Sequence, residues 1–291
     1  MLRFAPSPTG YLHVGNARIA ILNYLFAKKN NLEYFLRFDD TDTVRSKKIY
    51  EEQIKIDLDW LGVRFKSSFN QLDRLDTYRG IADDLKKKGF IYPCYEKPEE
   101  LEIKRKLQLK SGKPPLYDRS SLKLTSKEIN EYVKQGIKPH WRFKLNSNPI
   151  KWKDLLHGNI SFENLPISDP VVIRSDGTPL FTLTSVIDDL DFKISHVIRG
   201  DDHITNTAAQ IQLFHTIGDK APKFAHVPLM KSISGEQLSK RDKSFSLSDI
   251  KKNGIQSEVL FNMLSKLGSK HSYDKIDSLL TLQENFEINN F

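Results

Sequence analysis

The sequence predicts an α/β fold: an open parallel sheet with helices packed on it, split by a mixed α+β insertion and followed by a helical region. Three observations predict it. Roughly the first sixty residues alternate strand, helix, strand, helix, the rhythm of crossovers in a parallel sheet. After Gly89 that rhythm stops, and charged helical and strand-like stretches follow without a repeating unit. It returns around "ISHVIRGDDHITNTAAQIQLFHTIG", which reads as a strand, a polar turn and a helix. An insertion dividing one α/β unit accounts for all three.

Leu2 to Ala5 suit a short strand. "GNARIAILNYLFAKKNN" follows as a helix, with Ile19, Leu22 and Phe26 on one face and Asn30-Asn31 as its stop. "EYFLRF" is the next strand. "SKKIYEEQIKIDLDWLG" is an amphipathic helix with Tyr50, Ile54, Leu58 and Leu61 on one stripe and Gly62 at its end. In the middle region, "PEELEIKRKLQLKSGKPP" is a charged helix closed by Gly112 and two prolines. "WRFKL", "IKWKDLLHGNISF" and "VVIRSDGTPLF" carry strand character, with "SDGT" as a hairpin turn. The end of the chain, from "SEVLFNMLSKLG" on, is helical. Trp141, Phe143 and Trp152 are assigned to the core, and Lys104, Arg105, Lys106 and Lys110 stand as candidate phosphate contacts or as a solvated helix face.

The chain has 291 residues, 38% of them hydrophobic, enough for a sizeable core and more than one domain. No apolar run is long enough to cross a bilayer, and "APSPTG" interrupts any secretory signal. One cysteine, Cys94, excludes an internal disulfide and fits a reducing compartment, so the expected location is cytoplasmic. The formal charge of +8 draws polyanions and leaves nucleic-acid binding open.

The least regular stretch near the start, "RFAPSPTGYLHVGNAR", falls at the carboxyl end of the first strand, where open parallel sheets bind ligands. The helix after it offers unpaired N–H groups and the positive end of its dipole, a setting that suits phosphate. Gly10 and Gly15 let a ligand approach the backbone, and His13 adds a donor. The spacing is neither a dinucleotide fingerprint nor a Walker A loop. Taken alone, a structural turn rich in proline and glycine explains the stretch equally well.

A second stretch, "GEQLSKRDKS", begins at Gly235 and holds Ser239, Lys240 and Arg241. With "HVGN" it resembles the His-Ile-Gly-His and Lys-Met-Ser-Lys-Ser signatures of class I aminoacyl-tRNA synthetases. "RFAPSPTGYLHVGNAR", "LRFDDTDTVRS", "HVIRGDDHITNT" and "LSKR", in that order, resemble the bacterial type of glutamyl-tRNA synthetase over essentially the whole chain, without its C-terminal anticodon-binding region. The resemblance implies a Rossmann-type catalytic domain in two halves, 1–88 and 180–228, split by an acceptor-binding insertion at 89–179. Residues 229–291 would hold the signature loop and the start of a helical stem-contact domain.

The implied reaction is activation of glutamate by ATP, then transfer to tRNA. The resemblance assigns ATP to Thr9, Gly10, His13, Gly15, Asn16, Ser239, Lys240 and Arg241, with His13 and Lys240 as the catalytic pair, and brings Mg2+ with the nucleotide. Glutamate falls to Arg3, Ser7, Asp39, Phe181, Ser185, Arg199 and Asp202. Two carboxylates ask for cations and one ammonium for an acid. Several positions depart from the family pattern: Asp39 and Asp202 stand for glutamates, Phe181 for a tyrosine, Ser185 for an asparagine, and Gln237 for the first lysine of the downstream signature. Relatives with zinc use a Cys-x-Cys pair and a later cysteine after a tyrosine. Here Cys94 stays, while Glu96 and the serines after Tyr117 stand in the other places, so no zinc and no other protein-held metal is expected. The expected partners are glutamate and tRNA-Glu, with tRNA-Gln an open second substrate, no membrane, and a monomer. Two other readings are a short paralogue that glutamylates queuosine in tRNA-Asp, and a non-catalytic tRNA-binding module.

Overall fold

Strand β1 (Leu2–Phe4) and helix α1 (Val14–Lys29) open a computed structural model that describes residues 1–163, 167–218, 220–231, 235, 246–271 and 275–291. Helix α1 is apolar nearly all round and is buried accordingly. It lies on the parallel strands and is covered by helices from the end of the chain. Its stop falls where the asparagines predict: Asn30 caps the helix, and Asn31 takes a left-handed φ of 52°.

Next come β2 (Tyr34–Phe38), α2 (Lys48–Trp60) and β3 (Ser68–Asn70). β1, β2 and β3 form a parallel sheet in that order, with Phe4 opposite Leu36 and Leu36 opposite Ser68. In α2, Ile54 and Leu58 are buried, and Gly62 ends the turn at φ 74°. Helix α3 (Leu75–Lys87) follows a short 3-10 turn.

The middle of the chain is antiparallel. β4 (Ile91–Cys94), β5 (His140–Phe143) and β8 (Val171–Ile173) make one sheet, with β5 central. β6 (Ile150–Asp154) and β7 (Gly158–Phe162) make a hairpin. Two helices, α4 (Pro98–Lys110) and α5 (Ser126–Lys134), bury none of their residues. Phe143 is fully buried, whereas Trp141 and Trp152 pack half-buried against the same core. The "SDGT" stretch makes a tight turn, with Gly177 at φ 90° and Gly177 N–H on Arg174 O at 2.9 Å. Its return arm is a single bridge, Ile173 to Pro179, and not a second strand, because a helix begins at Phe181.

Helix α6 (Phe181–Asp191), β9 (His196–Gly200), α7 (Ile204–Ile217) and β10 (Lys223–Val227) restore the parallel style, β9 pairing with β10. Ser195 N–H bonds Met1 O at 2.9 Å, and Asn23 on α1 donates to Ile198 O at 3.0 Å, so β9 lies beside β1. The chain therefore leaves β1 toward β2 on one side and comes back beside it as β9 on the other. That arrangement opens a crevice at the carboxyl ends of the two strands. α8 (Leu247–Lys252), α9 (Ser257–Lys266) and α10 (Leu279–Asn285) close the chain, α9 and α10 packing on α1. Among the described residues, no helix is long and apolar enough to cross a membrane.

Candidate active site

A cleft of about 590 Å3 opens where β1 and β9 end. That volume suits a nucleotide-sized ligand. Arg3, Ser7, Thr9, His13, Gly15, Asn16, Asp39, Phe181, Arg199 and Asp202 all line it. Gly10 lines a neighbouring cavity of about 750 Å3, together with Thr9 and His13. Ser185 sits behind the wall: its hydroxyl donates to Phe181 O and accepts from Gln210 Nε2 at 2.7 Å. Ser239, Lys240, Arg241 and Gln237 lie outside the described residues. The described segments on both sides of them do reach the site. Pro228, Leu229 and Met230 line the cleft, Ser246 bridges His13 in antiparallel fashion, and Leu247 N–H bonds Leu12 O at 2.9 Å.

The His13 side of the cleft is made of small residues and a helix start. His13 is the N-cap of α1, and its Nδ1 accepts the Gly15 N–H at 3.1 Å. The acceptor role of Nδ1 puts the ring proton on Nε2. A Cβ on Gly15 would sit 3.0 Å from the His13 ring, so the glycine keeps the cap close. The α1 N-terminus, the His13 Nε2–H and the buried Arg18 all lie on this side of the cleft.

The floor is a buried ion-pair network that sequence reading missed. Arg37, fully buried, donates from Nε to Asp39 at 2.6 Å and from Nη1 to Asp189 at 2.9 Å. Arg3 donates from Nε and Nη2 to the two oxygens of Asp189 at 3.0 and 3.3 Å. Neighbouring Asp188 accepts from Gln71, Arg74 and Tyr78, each at 2.8 Å. Burial pushes the Asp39 carboxyl up to about 6, and Arg37 restrains it from rising further. Burial would raise Asp189 too, but Arg3 and Arg37 together hold it below the usual carboxylate range. Two cues pointed here: an arginine inside the apolar strand "YFLRF", and two adjacent acids inside the apolar helix "SVIDDL".

Arg199 differs from Arg3 and Arg37. It is buried, and its Nη2 donates to neutral groups, Thr207 Oγ1 at 2.5 Å and Gln210 Oε1 at 2.7 Å. Among the described residues its Nε–H has no partner. Burial first, and the charge of Arg3 second, push it down to about 9 despite Asp189 and Asp202. This cation can take an incoming carboxylate without giving up an acidic partner. Gly200 beside it leaves room for Asp202 and Leu229, both of which a Cβ there would strike. Asp202 stands half-exposed at the rim.

The position read as a zinc site without its ligands is a hydrogen-bonded cluster. Glu96 accepts from Tyr117 at 2.8 Å, Ser120 at 2.5 Å and Ser121 at 2.6 Å. Burial opposes its charge, yet these hydroxyls hold the carboxyl down to about 2. Lys104 pairs with Glu96 at 3.5 Å and Asp118 at 3.1 Å, while Arg105 and Lys106 both reach Glu102. Among the described residues, no three His, Cys, Asp or Glu come together to hold a metal ion.

Residues 1–290 match the family model described as tRNA synthetases class I (E and Q), catalytic domain. The chain is 46% identical over 288 residues to a glutamate–tRNA ligase 1 of Maricaulis maris and 48% identical over 290 residues to one of Rickettsia prowazekii. Among solved structures, it resembles a glutamate tRNA ligase of Elizabethkingia meningosepticum in complex with its amino acid, at TM-score 0.88 and 30% identity. The glutamate–tRNA synthetase of Elizabethkingia anophelis gives 0.89 and 30%. These matches cover 99% of this chain but only 65% or 66% of each relative, so the chain spans about two thirds of their length. On the match along 290 residues and the fold that accompanies it, the chain belongs to the class I tRNA synthetases for E and Q, in the catalytic domain of that family.

Proposed function

We propose that this chain carries the catalytic part of an enzyme that activates glutamate with ATP and passes the glutamyl group to tRNA. The observation that carries this reading is Arg199: a buried cation whose hydrogen bonds among the described residues go to neutral groups, on the same cleft as the start of α1. In this reading His13 Nε2–H, the α1 N-terminus and Lys240 receive the triphosphate, with Thr9, Gly10, Gly15, Asn16, Ser239 and Arg241 around it. Mg2+ brought with the nucleotide would supply charge neutralisation at the triphosphate. Arg3 and Arg199 hold the two carboxylates of glutamate. Asp39 and Asp202 supply negative charge for its ammonium, and Ser7 and Phe181 shape the wall; Ser185 acts from behind, through Phe181 and Gln210.

The chemistry is two displacements. A carboxylate oxygen of glutamate attacks the α-phosphorus, and pyrophosphate leaves with the electron pair of the broken P–O bond. A ribose hydroxyl at the tRNA end then attacks the acyl carbon, its proton passes to a phosphate oxygen of the adenylate, and AMP leaves with the electron pair of the broken C–O bond. Positioning and charge stabilisation carry both steps, since the protein need form no covalent bond. The division at 88, 179 and 228, the tRNA-Glu partner, a monomeric state and a cytoplasmic location belong to the same proposal. The test is aminoacylation of purified tRNA-Glu, tRNA-Gln and tRNA-Asp by the complete gene product. Charging of the tRNA-Glu 3′ end is expected. Glutamylation of tRNA-Asp alone, or of none, would overturn the reading.

A further inference from the structure

A chain of buried hydrogen bonds runs from the β6–β7 hairpin to Arg199. It starts at Asp154, the last residue of β6, which is 1% exposed. Asp154 Oδ1 accepts the backbone N–H groups of Leu156 at 3.0 Å, His157 at 3.2 Å and His226 at 3.2 Å. Its Oδ2 lies 2.5 Å from His226 Nδ1. His226, on β10 and fully buried, places Nε2 2.7 Å from Thr207 Oγ1. Thr207, on α7 and fully buried, accepts from Arg199 Nη2.

The proton positions give this chain a direction. Burial opposes the charge of Asp154, but His226 and the turn N–H groups hold its carboxyl down to about 2, so it only accepts. His226 Nδ1 therefore carries hydrogen. Burial lowers the His226 pKa, which leaves Nε2 free to accept. The Thr207 hydroxyl donates to that nitrogen, which is nearer than its alternative, His203 O at 3.1 Å. The oxygen lone pairs of Thr207 then turn to Arg199. Gln210, itself bonded to Ser185, takes the other Nη2 hydrogen. Both hydrogens of Nη2 are used, and the guanidinium plane is set.

We propose that Asp154, His226 and Thr207 are positioning residues for Arg199, fixing its guanidinium to receive a carboxylate of the amino acid and tying that aim to the β6–β7 hairpin. The proposal rests on the reading of the cleft as a glutamate site. Thr207→Val keeps the shape and removes the hydroxyl, whereas Thr207→Ser keeps the hydroxyl. Asp154→Asn keeps an oxygen for the three backbone N–H groups but presents an N–H to His226. The histidine proton then moves to Nε2, which competes with Arg199 for the Thr207 oxygen.

The measurement is calorimetric titration of wild type and each variant with glutamate and, separately, with ATP, beside a thermal melt. Losing a hydrogen bond to a charged group predicts roughly tenfold weaker glutamate binding in Thr207→Val, with ATP binding changed by less than about twofold. Thr207→Ser should bind glutamate within about twofold of wild type, and Asp154→Asn about threefold more weakly. Equal weakening toward both ligands, or a serine variant no better than valine, overturns the proposal. If Thr207→Val fails to melt cooperatively, Asp154→Asn decides, and unchanged glutamate binding there overturns it. A wild type that binds no glutamate overturns the reading of the cleft, and the proposal with it.

Discussion

The β1–β2 side of the cleft and its β9–α7 side each present arginine, but in opposite electrostatic states. On the first side Arg3 and Arg37 share Asp189, and Arg37 also takes Asp39, so the positive charge is answered inside the protein. On the second side Arg199 is held by a threonine and a glutamine. Arg37, set between two buried carboxylates, has its energy committed to the fold, whereas Arg3 spends Nε and Nη2 on Asp189 and still lines the cleft. A buried charge on neutral partners is left for a ligand to complete. The Glu96 cluster sharpens the point. That carboxylate is held by three neutral hydroxyls and by Lys104 at 3.5 Å, all from its own surroundings. Arg199 combines neutral hydrogen-bond partners with a place in the cleft lining.

The largest expected effect breaks the first side. Arg37→Ala leaves Asp39 and part of Asp189 buried without a cation, and should cost about 3–5 kcal/mol of stability, read by urea unfolding. A change under about 1 kcal/mol would show that the network is not the structural half of the comparison. The second breaks the other side: Arg199→Ala should weaken glutamate binding by roughly 100-fold while leaving the unfolding midpoint nearly unchanged. ATP binding weakened by the same factor would contradict the assignment. The third is smaller. Gly200→Ala forces Asp202 and Leu229 aside at the rim, and several-fold weaker glutamate binding is expected without loss of fold.

The smallest concerns Glu96 and its pH dependence. Its folded pKa of about 2 lies below its ordinary value of 4.5. The stabilisation is thus fully present above about pH 4.5 and is lost as pH falls toward 2. Glu96→Gln should be less stable than wild type at pH 7 by about 1–2 kcal/mol, with the gap closing on acidification. A gap that widens in acid would mean that the hydroxyls do not favour the charged form.

Much of this was legible in the sequence. The asparagine stop of α1, the glycine end of α2 and the return of the parallel style at "HVIRG" follow from local rules of helix and turn chemistry. Two helices were passed over although their signals are plain. Tyr78, Ala82 and Leu85 give α3 its buried stripe, and Thr125 with Glu128 forms the capping box of α5. Ten of the site residues read from the motifs reach one cleft, because a motif names positions along strand ends that topology then gathers. What stayed hidden is pairing across distance. Arg37 meets Asp189 over 152 residues, and His226 meets Asp154 over 72. No periodicity carries such a partnership. The cue available is only that a charged residue stands inside an apolar run and must find a partner somewhere.

The most direct test of the central claim, that this cleft joins glutamate to ATP, is ATP–pyrophosphate exchange by the complete gene product with tRNA supplied. Label should enter ATP when glutamate is added, and stay near background with aspartate or glutamine. Exchange driven equally well by glutamine, or absent with all three, would contradict the account of Arg199 as the seat of a carboxylate.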